Sequence, residues 1–104
     1  MDIVEVKISA ENTAQADVIL DALLAKKLVT GGQIVVAPAR FLWKGEVVTM
    51  DAYVTIVSYT VAENKESIVN SVRATSAEEV PMITFSDFHD VNSELRDWIR
   101  GTLT

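Results

Sequence analysis

The chain has 104 residues, 49% of them apolar, and 9 Lys+Arg against 15 Asp+Glu give a formal charge of −6. A single domain of that length buries roughly 60–65% of the surface its unfolded chain exposes, so such a high apolar content leaves surface to be buried between subunits. The basic residues are scattered, which argues against nucleic acid or an anionic membrane as a partner, and the absence of cysteine excludes disulfides, thiolate metal sites and cysteine nucleophiles.

Residues 2–9, "DIVEVKIS", set Val4, Val6 and Ile8 against Glu5 and Lys7, the alternation of a strand with one buried face. This opening has neither the basic start nor the continuous apolar core of a signal peptide. No stretch approaches the ~18 apolar residues of a membrane span, so a cytoplasmic location is expected. Ser9 or Asn12 caps a helix running to about Lys27, with Ala16, Ile19, Leu20, Leu23, Leu24 and Leu28 on its buried face. "TGG" at 30–32 ends it, Gly31 taking the left-handed conformation at the C-terminus.

A second extended run, 33–43, contains Pro38, which cannot donate to a ladder and so places this strand at a sheet edge with a bulge. Lys44-Gly45 turns the chain. From Glu46 to about Val61 the alternation is long: Val48, Met50, Ala52, Val54 and Ile56 form one face, Thr49, Asp51, Tyr53, Thr55 and Tyr59 the other. Asn64 caps a second helix over 65–75 with Ile68, Val69 and Val72 inward. Residues 82–88 form a fourth strand. A short helix from Asn92 or Ser93 to Arg100 then turns Leu95, Trp98 and Ile99 inward, with Gly101 stopping it.

The order βαββαβ plus a short helix predicts an α+β, ferredoxin-like sandwich of one domain over 1–104, with strand order 4-1-3-2 and both main helices on one sheet face. The other face then needs polar residues or a partner. A strand over 46–61 reaches roughly 50 Å at ~3.3 Å per residue, whereas a domain of this size, with a radius of gyration of about 13 Å, is some 35 Å across. The hairpin therefore overhangs its domain, and its tip carries Phe41, Leu42 and Trp43. Left in water such a ribbon is an aggregation hazard, and docking on identical copies in a closed ring removes it. Phe41, Leu42, Trp43 and Tyr53 are the expected subunit-interface residues.

Side chains able to support chemistry are few. His89 is the one histidine, and with Asp87 and Asp90 it forms the only metal-ligand candidate, of a kind suited to Zn²⁺ or Cu²⁺. In a strand Asp87 and His89 would share a side. A solvated loop is the plainer reading, so no cofactor is expected. Glu78 and Glu79 are adjacent and should diverge as an acidic loop before Pro81. Tyr53 and Tyr59, with Thr55 and Asp51, either line a cleft between subunits or form a plain interface. No phosphate loop is present and no nucleophile–base pair can be assembled, so no catalytic residue is assigned.

Trp43 and Gly45, then Glu79, Val80, Pro81 and Ile83, then Asn92, Trp98 and Ile99 match three motifs of the CutA family of divalent-cation tolerance proteins: "WW-x-G-x-[IV]", "H-P-Y-[ED]-V-P-x-I" and "N-x-x-Y-L-x-W-I". The first strand and helix also fit, so the resemblance covers nearly the whole chain. It implies a ferredoxin-like homotrimer with hairpins pairing between subunits, a role in divalent-cation tolerance and no catalysis. The chain departs from the pattern where the family's cysteine gives way to "TGG", where His-Pro-Tyr becomes Ser76, Ala77 and Glu78, and where Tyr59 stands in place of a lysine. The histidine usually suspected of binding copper is thus absent. Two other readings share the fold: a PII-like trimeric sensor of small ligands, disfavoured by the lack of phosphate-binding basic residues, and a dimeric α+β barrel monooxygenase, distinguished by its subunit count.

Overall fold

A computed structural model describes residues 2–103. Four strands, β1 (Ile3–Ala10), β2 (Gly32–Trp43), β3 (Glu46–Val61) and β4 (Ile83–Phe88), alternate with α1 (Thr13–Ala25), α2 (Lys65–Thr75) and α3 (Ser93–Leu103). The strands form one antiparallel sheet in the order β2-β3-β1-β4, the order expected from the sequence. Among the described residues no helix is long and apolar enough to cross a membrane.

The core lies between the sheet and α1 and α2. Val6, Ile8 and Ala10 of β1 and Val54 and Ile56 of β3 meet Ala16, Ile19, Leu20 and Leu23 of α1 and Ile68 and Val72 of α2. Each fully buried Ile or Leu side chain here contributes about 1.5–3 kcal/mol relative to exposure. Two residues expected in this layer fall short of it: Leu24 stays 41% exposed and Val69 only half-buried, while Ser71 takes a buried place on α2.

The helix ends differ from the expectation. Asn12 caps α1, its Oδ1 accepting from the Gln15 amide at 2.9 Å, whereas Ser9 remains in β1. The C-terminal left-handed residue is Lys27 (φ 54°), not Gly31. The Lys27 amide donates to Leu24 O and the Leu28 amide to Leu23 O, the paired bonds of a Schellman motif. Leu28 then packs back on the core beside Leu23, and that contact stabilises a left-handed lysine. Asn64 does not cap α2 through its side chain. A 3₁₀ turn, Ala62–Asn64, leads into that helix, and Asn64 Nδ2 donates to Leu28 O at 3.3 Å.

The face opposite α1 and α2 is covered at one end by α3. Ile99 packs there with Ile3 and Val61, flanked by Tyr59, Phe88, Leu95 and Leu103. The helix runs through Gly101 to Leu103, so this glycine does not stop it, and Trp98, expected inward, is 52% exposed.

β1 pairs with β3 only from Val54 to Val61. The other half of β3 has β2 alone for a neighbour, down to Trp43↔Glu46. The two-stranded ribbon projects beyond the rest of the sheet, and the molecule measures 44 × 26 × 20 Å. β2 is an edge strand whose register shifts between Ala37 and Ala39, around Pro38. There the prolyl nitrogen cannot donate, and the slip bends the ribbon.

Candidate functional site

The bend changes which side chains share a surface. Simple alternation sets Val48 and Met50 opposite Tyr53, but an extra β3 residue opposite Pro38 brings all three to one side. Phe41 lies edge-on to Tyr53, with ring centroids 4.8 Å apart. The curved ribbon and the loop before β4 enclose a cleft of about 520 Å³, which Phe41, Trp43, Val48, Met50 and Tyr53 line from the ribbon side. The loop contributes Glu78, Glu79, Val80 and Met82, and Glu11 at the end of β1 closes one margin.

Short bonds hold the loop in place. The Ala77 amide donates to Gln15 Oε1 of α1 at 2.6 Å. Ser9 Oγ accepts from the Met82 amide at 2.9 Å and donates to Glu78 Oε1 at 2.7 Å. Tyr53 Oη donates to Glu78 Oε2 at 2.5 Å. Glu78 is thus clamped between two strands by two hydroxyls, and among the described residues its carboxylate has no cationic partner. The phenol of Tyr53, 7% exposed, is pushed up to about 12, first by burial and then by its bond to the Glu78 carboxylate. Glu79 diverges from Glu78, as adjacent residues do. It meets Lys44 Nζ at 3.5 Å, and the same ammonium lies 5.4 Å from the Trp43 ring centroid.

The residues expected at a subunit boundary divide between two surfaces. Phe41, Tyr53 and Trp43 lie on the cleft side, Trp43 with 39% exposure, whereas Leu42, at the cleft's margin, projects with 80% exposure. Leu42 pairs with Val47, itself 65% exposed. These two form a bare apolar pair at the ribbon tip.

The metal candidates do not converge. β4 ends at Phe88, so His89 lies beyond the strand and does not share a strand face with Asp87. Asp87 faces Lys65 Nζ at 3.7 Å. No cluster of three His, Asp or Glu side chains placed to hold an ion occurs among the described residues.

Sequence reasoning missed the part played by Ser9 and Glu78. Ser9 read as one of two candidate helix caps and Glu78 as part of an acidic loop before Pro81. Their partnership spans 69 positions, and no local pattern announces it. Glu78 stands where the motif quoted above has tyrosine.

The sequence profile of the family described as CutA1 divalent ion tolerance protein matches residues 4–102. A search of curated protein sequences returns no significant match. Among solved structures, the periplasmic divalent cation tolerance protein CutA from Archaeoglobus fulgidus is 24% identical with a TM-score of 0.92, over 98% of this chain and 99% of that one. The divalent cation tolerance protein from Thermus thermophilus is 25% identical with a TM-score of 0.90, again over 98% and 99%. CutA1 from Oryza sativa, at 18% identity, reaches 0.92 over 100% and 95%. With the profile covering nearly every residue and the same fold recurring in these structures, the chain belongs to the CutA1 divalent ion tolerance protein family.

Proposed function

We propose that this protein is a non-catalytic homotrimer serving the divalent-ion response for which its family is named. The observation that carries the assembly is the ribbon: from Glu46 to Tyr53, β3 has one neighbour strand among the described residues, and the ribbon's tip shows Leu42 and Val47 to solvent. An apolar two-stranded projection of this kind is stable in water only when covered. Identical copies arranged in a ring cover all three ribbons at once and leave none free, so association stops at a closed number. The non-catalytic reading follows the family to which the chain belongs.

Light scattering tests the assembly, with three chains per particle expected at micromolar concentration; a monomer or dimer rejects it. The role in ion response is tested by expression in a copper-sensitive host that lacks its own family member. Restored growth on copper is expected, and growth no better than an empty vector rejects that role.

A further inference from the structure

The ribbon and the cleft beside it carry unmatched charges of opposite sign on two different surfaces of one chain. Side chains alternate along β2, so Phe41 and its partner Val48 face the cleft, while Arg40 with Thr49 and Leu42 with Val47 take the outer face. That outer face is a ridge: a bare apolar pair, Leu42 and Val47, beside the exposed guanidinium of Arg40. The ribbon carries two cations, Arg40 and Lys44. Lys44 meets Glu79, whereas Arg40 has no ion partner among the described residues.

The cleft is the counterpart of this ridge. Phe41, Trp43, Val48, Met50 and Met82 make an apolar hollow with Glu78 on its wall. Glu78 accepts one hydroxyl bond at each carboxylate oxygen, from Ser9 and from Tyr53, and each oxygen retains a lone pair. A copy that closes over the hollow strips water from this carboxylate, which is costly unless a counter-charge arrives with the copy. The planar fork of an arginine matches two acceptor oxygens at once, and the Trp43 ring beside them attracts the same charge.

We propose that, given the trimer read from the ribbon, the outer face of one copy's ribbon seats in the next copy's cleft, with Arg40 of the first paired to Glu78 of the second. Leu42 and Val47 then fill the apolar hollow. Ridge and hollow are unlike surfaces, so the contact is head-to-tail and closes as a ring. A two-fold dimer through the same cleft would set carboxylate against carboxylate. Because Glu78 stands where the family motif has tyrosine, the pair belongs to this chain's own sequence.

Light scattering over a dilution series compares the unaltered chain, Arg40→Glu and the double variant Arg40→Glu with Glu78→Gln. The unaltered chain should be trimeric at micromolar concentration. Arg40→Glu opposes two carboxylates and should raise the concentration for half-assembly about thirtyfold, as about tenfold at each of three contacts implies. The nearly isosteric Glu78→Gln removes the opposing charge and should recover most of that loss, which a merely structural fault at position 40 would not permit. Assembly indifferent to Arg40→Glu, or no recovery in a folded double variant, overturns the proposal and leaves the trimer standing. A monomeric unaltered chain rejects both. The chain has no cysteine, so a second measurement avoids any change at Glu78. Co-expressed chains bearing Thr49→Cys and Glu79→Cys, both exposed positions, should cross-link to each other through a short bismaleimide. Cross-links only between chains of the same kind overturn the proposal.

Discussion

Tyr53 and Glu78 are joined by a 2.5 Å hydrogen bond that ties the long strand to the loop before β4. The phenol donates, and its proton is held by burial and by the carboxylate it meets. Folding therefore raises the tyrosine's affinity for its proton. Between the ordinary value of 10.0 and the folded value of about 12, the unfolded chain binds fewer protons than the folded one, so stability falls as pH rises. This contribution is complete below pH 10 and lost as pH passes 12. Denaturant unfolding of the protein and of Tyr53→Phe across this window should show the steeper alkaline loss in the unaltered chain. Parallel losses would mean the phenol titrates normally. At neutral pH, Tyr53→Phe should cost about 1–3 kcal/mol, the range for leaving a buried acceptor short of its donor.

The ribbon's turn rests on two positive-φ residues, Lys44 at 52° and Gly45 at 84°, as a type I′ hairpin requires. A Cβ at Gly45 meets no atom within 4 Å, so the penalty for Gly45→Ala is purely conformational, about 1–2 kcal/mol. Gly32 presents the opposite case. A Cβ there falls 3.1 Å from Leu20 Cδ1 and 3.2 Å from Ile56 Cγ2, so Gly32→Ala should cost about 1–3 kcal/mol through overpacking. Thermal melts of the two variants check both values. A neutral Gly32→Ala would show that Leu20 moves aside freely.

Leu42 reports on assembly. At 80% exposure it contributes little to its own subunit, so Leu42→Asp should leave the chain folded while dissociating the proposed trimer at micromolar concentration. Circular dichroism with light scattering makes the check. A trimer that persists unchanged would place the docking surface elsewhere.

Metal titration should find no stoichiometric tight site in the isolated protein. His89 lies past the end of β4, and Asp87 is already opposite Lys65. Any Cu²⁺ or Zn²⁺ binding is expected to be weak, strongest for Cu²⁺, and abolished by His89→Ala. A submicromolar Kd by calorimetry that survives this substitution would reveal a site built from carboxylates of several subunits.

Local pattern and turn chemistry carried the architecture. Alternation in β1, the three- and four-residue steps of α1, the proline in β2 and the Lys44-Gly45 turn are short-range signals, and each produced the element expected of it. The overhang followed from arithmetic on strand length alone, since a strand has a fixed rise per residue whatever it packs against. Tertiary structure decided what depends on contacts distant in sequence. One inserted residue at the bulge reversed the phase of the outer half of β3 and brought Val48, Met50 and Tyr53 to one cleft. Lys27 rather than glycine took the left-handed position because Leu28 finds the core beside Leu23. Trp98 was left exposed because α3 sits across one end of the sheet with Ile99 as its buried anchor. Glu78 gained its place from Ser9 and Tyr53, whose distance along the chain hides the relation from any window of sequence. A carboxylate's partners are set by where the backbone carries them, and that is known only once the sheet has closed.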